Sequence, residues 1–121
     1  MNEPRKAPRP IDLQPLKPDD RAAFVGRILL LLRKSPFRRV AEWRNAVVVF
    51  AFGEKRVTSR ADFAGWLRAN DLRPMAHECR SRRIPPGHVL VWLSADNATG
   101  ACAGFALVDM IGEVERARQA A

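Results

Sequence analysis

Residues 45–53 read NAVVVFAFG, and the fold turns on whether they form a helix or a strand. The Val-Val-Val-Phe run has the β-branched and aromatic character that suits a pleated surface. A helix running through Ala46, Val47 and Phe50 to a cap at Gly53 fits the spacing equally well. The same ambiguity returns at residues 88–93, HVLVWL. There Val89, Leu90, Trp92 and Leu93 make either one face of a helix opened by Pro85-Pro86 or a short buried strand. Two helices here give a mainly α protein, and two strands give an α+β one.

Elsewhere the helical signals are plainer. Asp19 or Asp20 offers an N-cap, and Phe24, Val25, Ile28, Leu29 and Leu32 follow on one face, which predicts a helix over residues 20–34. Leu30 and Leu31 widen that stripe beyond the needs of a surface helix, so the helix is expected to be central to the core or to meet a second chain. Ser35-Pro36 reads as a cap with proline at the first helical position, restarting a helix through Phe37, Val40 and Ala41. Thr58-Ser59 precedes Phe63, Ala64, Trp66 and Leu67, with Asp62 three residues after Ser59 in a weak form of the capping box. Asn70-Asp71 then stops that helix, and Arg73-Pro74 opens another that has Ala76 and Cys79 to bury. Beyond the Asp96–Gly100 turn, Phe105, Val108 and Ile111 suggest a last helix over residues 101–118.

Charge points to a polyanionic partner. The chain of 121 residues carries 21 Lys+Arg against 13 Asp+Glu, a formal net charge of +8. Residues 1–44 hold eleven of the cations and residues 101–121 only two, so the C-terminal tail is not part of the basic surface. The proline-rich opening, residues 1–18, reads as a basic, disordered arm. The domain plan expected is that arm, a helical core over 19–100, and a C-terminal helix over 101–121 available for dimerisation. Ile28–Leu32 is far shorter than a membrane span and too deep in the chain for a signal peptide, so no membrane partner and a cytoplasmic setting are expected.

Two short helices over 59–69 and 73–83, joined by a tight turn and with the second one basic, match the physical description of a helix-turn-helix. The run RADFAGWLRANDLRPMAHECRSRRIPPGHVLVWLSADNATG, residues 60–100, resembles the Cro/CI-type phage and plasmid repressors, especially the YdaS-like group. The likeness rests on Ala61–Leu67, on Arg73–Arg82, on Arg83-Ile84-Pro85-Pro86, on His88-Val89-Leu90 and on Ala98-Thr99-Gly100. It implies a mainly α, helix-turn-helix bundle with an extra N-terminal helix and a C-terminal helix, in which 41–53 is the first helix of the motif. The α+β reading stands as the alternative.

The resemblance also implies a function: a sequence-specific regulator of a phage, plasmid or other mobile element, a repressor or activator that binds double-stranded DNA as a homodimer. Arg73, His77, Glu78, Ser81 and Arg82 would then face base edges, since arginine reads guanine and Glu78 could accept from cytosine. Thr58, Ser59, Arg60, Arg80 and Arg83 would hold phosphates. The competing function is a small protein-binding inhibitor of a nucleic-acid-processing or defence complex, using the same cations on an acidic protein partner.

Enzymatic motifs do not stand out. The sequence carries no P-loop, no G-x-S-x-G and no H-E-x-x-H, and His77 and Glu78, as helix neighbours, diverge by about 100°. His77, Cys79, His88 and Cys102 match no zinc-finger spacing, so neither a metal nor a cofactor is expected. Trp43, Trp66 and Trp92 lie on apolar stripes and are expected in the core.

Overall fold

A computed structural model describes residues 18–51, 54–93 and 104–120. In chain order these form helix α1 (Pro18–Arg33), a short 3₁₀ helix (Val40–Asn45), strands β1 (Ala46–Ala51) and β2 (Glu54–Ser59), helices α2 (Arg60–Ala69) and α3 (Arg73–Ser81), strands β3 (His88–Leu93) and β4 (Gly104–Asp109), and helix α4 (Met110–Ala120).

The four strands make one mixed sheet in the order β2-β1-β3-β4. The hairpin β1-β2 is antiparallel with Val48 opposite Val57, β1 and β3 run parallel with Val48 opposite Val91, and β4 returns antiparallel to β3 with Ala106 opposite Val91. The parallel pair needs a long crossover. Here the chain makes it through β2, α2 and α3.

This α+β architecture corrects the mainly α expectation. Residues 46–51 are a strand and not the first helix of a bundle, 88–93 are a strand, and the expected helix over 101–118 divides into β4 and α4. The physical reason lies in the two layers of helix. Val47, Val49, Leu90, Trp92 and Phe105 face one way, into a core closed by Phe63, Ala64 and Leu67 of α2 and Met75, Ala76 and Cys79 of α3. Ala46, Val48, Val89, Val91, Ala106 and Val108 face the other way, against Val25, Ile28 and Leu32 of α1 and Met110. A strand covered on both faces is apolar at every position, so the alternation that marks a half-buried strand is missing.

Pro85 and Pro86 do not open a helix either. They form a tight turn in which the Pro85 carbonyl accepts from the His88 amide at 3.1 Å and Gly87 takes φ +75°. Proline followed by a positive-φ glycine is the pattern of a type II turn. Ser35 accepts from the Phe37 amide at 3.0 Å and donates to the Leu32 carbonyl at 2.8 Å, so Ser35-Pro36 ends α1 in a turn and the chain resumes as the 3₁₀ helix.

The helix expected over 20–34 spans Pro18–Arg33 and buries Val25, Ile28 and Leu32, leaving Leu30 53% exposed. It is tied to α4 by Arg21, whose Nε donates to both Glu113 carboxylate oxygens at 2.8 and 2.9 Å. No helix among the described residues is long and apolar enough to cross a membrane. The basic arm, the Ala98-Thr99-Gly100 motif and Cys102 lie outside the described residues, Pro18 excepted.

Candidate nucleic-acid interface

The helix pair α2–α3 is present, and its turn is built by local chemistry. Ser59 caps α2, its hydroxyl accepting from the Asp62 amide at 3.0 Å. At the other end the Leu72 amide reaches back to the Leu67 carbonyl at 2.8 Å and the Asp71 amide to the Arg68 carbonyl at 3.1 Å. With Asp71 at φ +61°, this is the Schellman arrangement, in which an aspartate takes the position usually held by glycine. Leu72 packs against the core that holds Leu67. The turn therefore fixes where α3 begins, and with it which residues α3 shows to solvent.

Met75, Ala76 and Cys79 go under, which leaves Arg73, His77, Arg80 and Ser81 outward. Positions i, i+4 and i+7 fall on one side of a helix, so Arg73, His77 and Arg80 form a row. Together with Ala76, Ser81 and Arg68 from the last turn of α2 they line a shallow hollow of about 480 Å³. Three arginines and a histidine line it, and among the described residues no carboxylate does.

A second hollow of about 410 Å³ lies beyond Arg80, lined by Asn45, Ser59, Arg60, Ala61 and that same Arg80. Arg60 is the organising residue beneath it. Its Nε donates to the Cys79 carbonyl at 2.8 Å, one Nη to the Arg82 carbonyl at 2.7 Å and the other to the Arg44 carbonyl at 3.1 Å. Cys79 and Arg82 sit at the C-terminal end of α3, where carbonyls lack helical partners and a cation is favourable. Arg60 therefore ties the start of α2 to the end of α3 and to the 3₁₀ helix.

The expected readout residues divide accordingly. Arg73 and His77 are exposed in the first hollow with Ser81, whose hydroxyl donates to the His77 carbonyl at 2.7 Å. Glu78 and Arg82 pair with each other at 2.9 Å, one helical turn apart. Of the expected phosphate residues, Arg80 is exposed and borders both hollows, Arg83 is exposed in the extended stretch after α3, Thr58 is half-buried on β2, Ser59 is engaged as the cap, and Arg60 is engaged with the three carbonyls.

Arg68 and Asn45 were not among the expected residues. Arg68 could have been found as the basic residue immediately before the Asn70-Asp71 turn. Asn45 could not, because its place beside α2 exists only once residues 46–51 are a strand.

Cys79, beneath the row, is fully buried, and burial pushes its thiol up to about 11, against the lowering effect of the Arg60 charge and with a raising one from Glu78. Its Sγ lies 3.4 Å from the Arg60 carbonyl, to which it donates. Among the described residues no three His, Cys, Asp or Glu side chains come together as a metal site would need. Of the tryptophans, Trp43 and Trp92 are core, whereas Trp66 is 39% exposed and stacks on Phe63 with ring centroids 5.4 Å apart. Two residues along a helix turn about 200°, which puts Trp66 on the side of α2 away from Arg68. Comparison with protein-family models, with curated proteins and with solved structures finds no match for this chain.

Proposed function

We propose that this protein binds double-stranded DNA through the outer face of α3, with the guanidinium groups of Arg68, Arg73 and Arg80 on the phosphate backbone. The observation that carries the reading is the first hollow: three arginines and a histidine line it, and no acidic side chain among the described residues does. Phosphate contacts supply most of the affinity of such surfaces and position the protein on the duplex. Among the described residues no aromatic side chain lines either hollow. Single-stranded nucleic acid is held largely by bases stacking on aromatic rings, so a duplex backbone is the better fit.

Base reading narrows in this proposal to His77, because Arg73 is on the backbone, Glu78 and Arg82 hold each other and Ser81 holds its own helix. Transcriptional regulation, carried as a proposal on the sequence resemblance, predicts preference for DNA upstream of the protein's own gene.

The test is a fluorescence-anisotropy titration of that upstream duplex and a random duplex, with wild type and an Arg73→Ala/Arg80→Ala double variant. Tighter binding of the upstream duplex, lost in the variant, supports the regulator. Equal affinity for both duplexes, still lowered in the variant, leaves a backbone binder without sequence preference. Light scattering on the complexes reports whether one copy or two occupies each duplex.

A further inference from the structure

The cationic surface continues past the first hollow. Arg80 borders both concavities, the second being completed by Asn45, Ser59, Arg60 and Ala61, again without a carboxylate from the described residues in its lining. Arg60 pairs with no acid among the described residues; its partners are backbone carbonyls, so its positive charge is not cancelled by a countercharge. Three of the five guanidinium N–H groups serve those carbonyls, which leaves two and the full charge.

We infer that the two hollows form one track for a single strand of the duplex, running from Arg68 and Arg73 across Arg80 to Asn45 and Ala61. Its partner is a run of consecutive phosphodiesters and not one isolated phosphate. The inference rests on the DNA-binding reading and specifies the length and path of its ligand.

The dimensions agree with such a path. Arg73 and Arg80 are separated by about 10 Å of helix axis at 1.5 Å per residue. Successive phosphates of one strand are spaced further apart along the strand than their rise along the duplex axis, so Arg73 and Arg80 suit two successive phosphates. The second hollow extends the path beyond Arg80. Arg60 acts on this track as a positioning residue as well as a charge, because its bonds to Cys79 and Arg82 hold the end of α3 from which Arg80 projects.

The test uses the full-length protein and a mixed-sequence DNA duplex, with affinity measured over a salt series. Ala61→Glu places an acid in the second hollow, and because Ala61 is exposed in the first turn of α2, where glutamate suits the helix, the fold is kept. Asn45→Asp makes the same electrostatic change with almost no change of shape. Arg73→Ala reports on the first hollow alone.

Each variant is expected to weaken binding by about threefold to tenfold at moderate salt and to reduce the salt slope by about one. Inorganic phosphate, offered as competitor, is expected to displace the duplex no better than its ionic strength explains. If Ala61→Glu and Asn45→Asp bind like wild type while Arg73→Ala weakens, the strand stops at the first hollow: the track is overturned and the DNA-binding reading stands. If Arg73→Ala also binds like wild type, the reading itself fails. Weakening by the second-hollow variants alone overturns the continuous track as well, placing the strand elsewhere.

Discussion

Arg60 donates to the backbone carbonyl of Arg82 over 2.7 Å, and through that bond the first residue of α2 fixes the last turn of α3. The same guanidinium reaches Cys79 and Arg44, so one side chain joins three pieces of chain distant in sequence. Lysine has the charge but not the planar fork that serves three acceptors at once. Arg60→Lys is expected to lower stability by about 2 kcal/mol and Arg60→Ala by somewhat more, given typical values for charged hydrogen bonds. Urea denaturation checks both, and a loss under about 0.5 kcal/mol, the range of an ordinary surface substitution, would show that the bonds are incidental.

Asp71 occupies a left-handed conformation, φ +61°, where a side chain costs energy that glycine avoids. Asp71→Gly is expected to raise the melting temperature, with a gain of about 0.5–1 kcal/mol after glycine's greater unfolded-state entropy is subtracted. Asp71→Val should lower it. Equal melting temperatures for all three would mean the turn is not held in this geometry.

Gly87 is constrained twice, by φ +75° and by a neighbour. A Cβ there would sit 2.5 Å from Cδ1 of Ile111. Gly87→Ala is expected to cost about 1–3 kcal/mol from overpacking and backbone strain together. Adding Ile111→Ala should recover part of that loss by removing the clash, while the conformational strain remains. Additive losses in a double-mutant cycle would separate the two residues and contradict the packing described.

The Cys79 thiol, held up at about 11 against an ordinary 9.0, binds its proton more tightly in the folded than in the unfolded chain. That contribution to stability is complete below pH 9 and is lost as pH rises toward 11. Denaturation midpoints should therefore fall across this window in wild type and fall less steeply in Cys79→Ala, after allowing for that variant's lower starting stability. Parallel curves would mean another group governs the alkaline limb.

How much of this could be read from the residues divides along physical lines. α1, α2 and α3 were legible because each shows water on one side, so Val25, Ile28 and Leu32, or Phe63 and Leu67, recur at helical spacing. The sheet was not, because Val47, Val48 and Val49 are each buried against one of two helical layers, and a continuous apolar run has no period. The resemblance across residues 60–100, which implies a helix at 41–53, points the wrong way for that run. Local rules held best where the cause was local: Ser59 caps α2 as its type and spacing suggested. The candidate surface was half legible. Arg73, His77 and Arg80 share a face by helical geometry alone, but nothing in the sequence could reveal that Arg60 is engaged with backbone carbonyls 19 and 22 residues further on.

The central claim is tested most directly by the salt dependence of duplex binding in wild type and in Arg73→Ala/Arg80→Ala. Three arginines on phosphates predict a wild-type slope of log K against log salt of about −2.7 or steeper, and a slope shallower by about 1.8 in the double variant. A double variant with wild-type slope and affinity would mean that this face of α3 does not hold DNA.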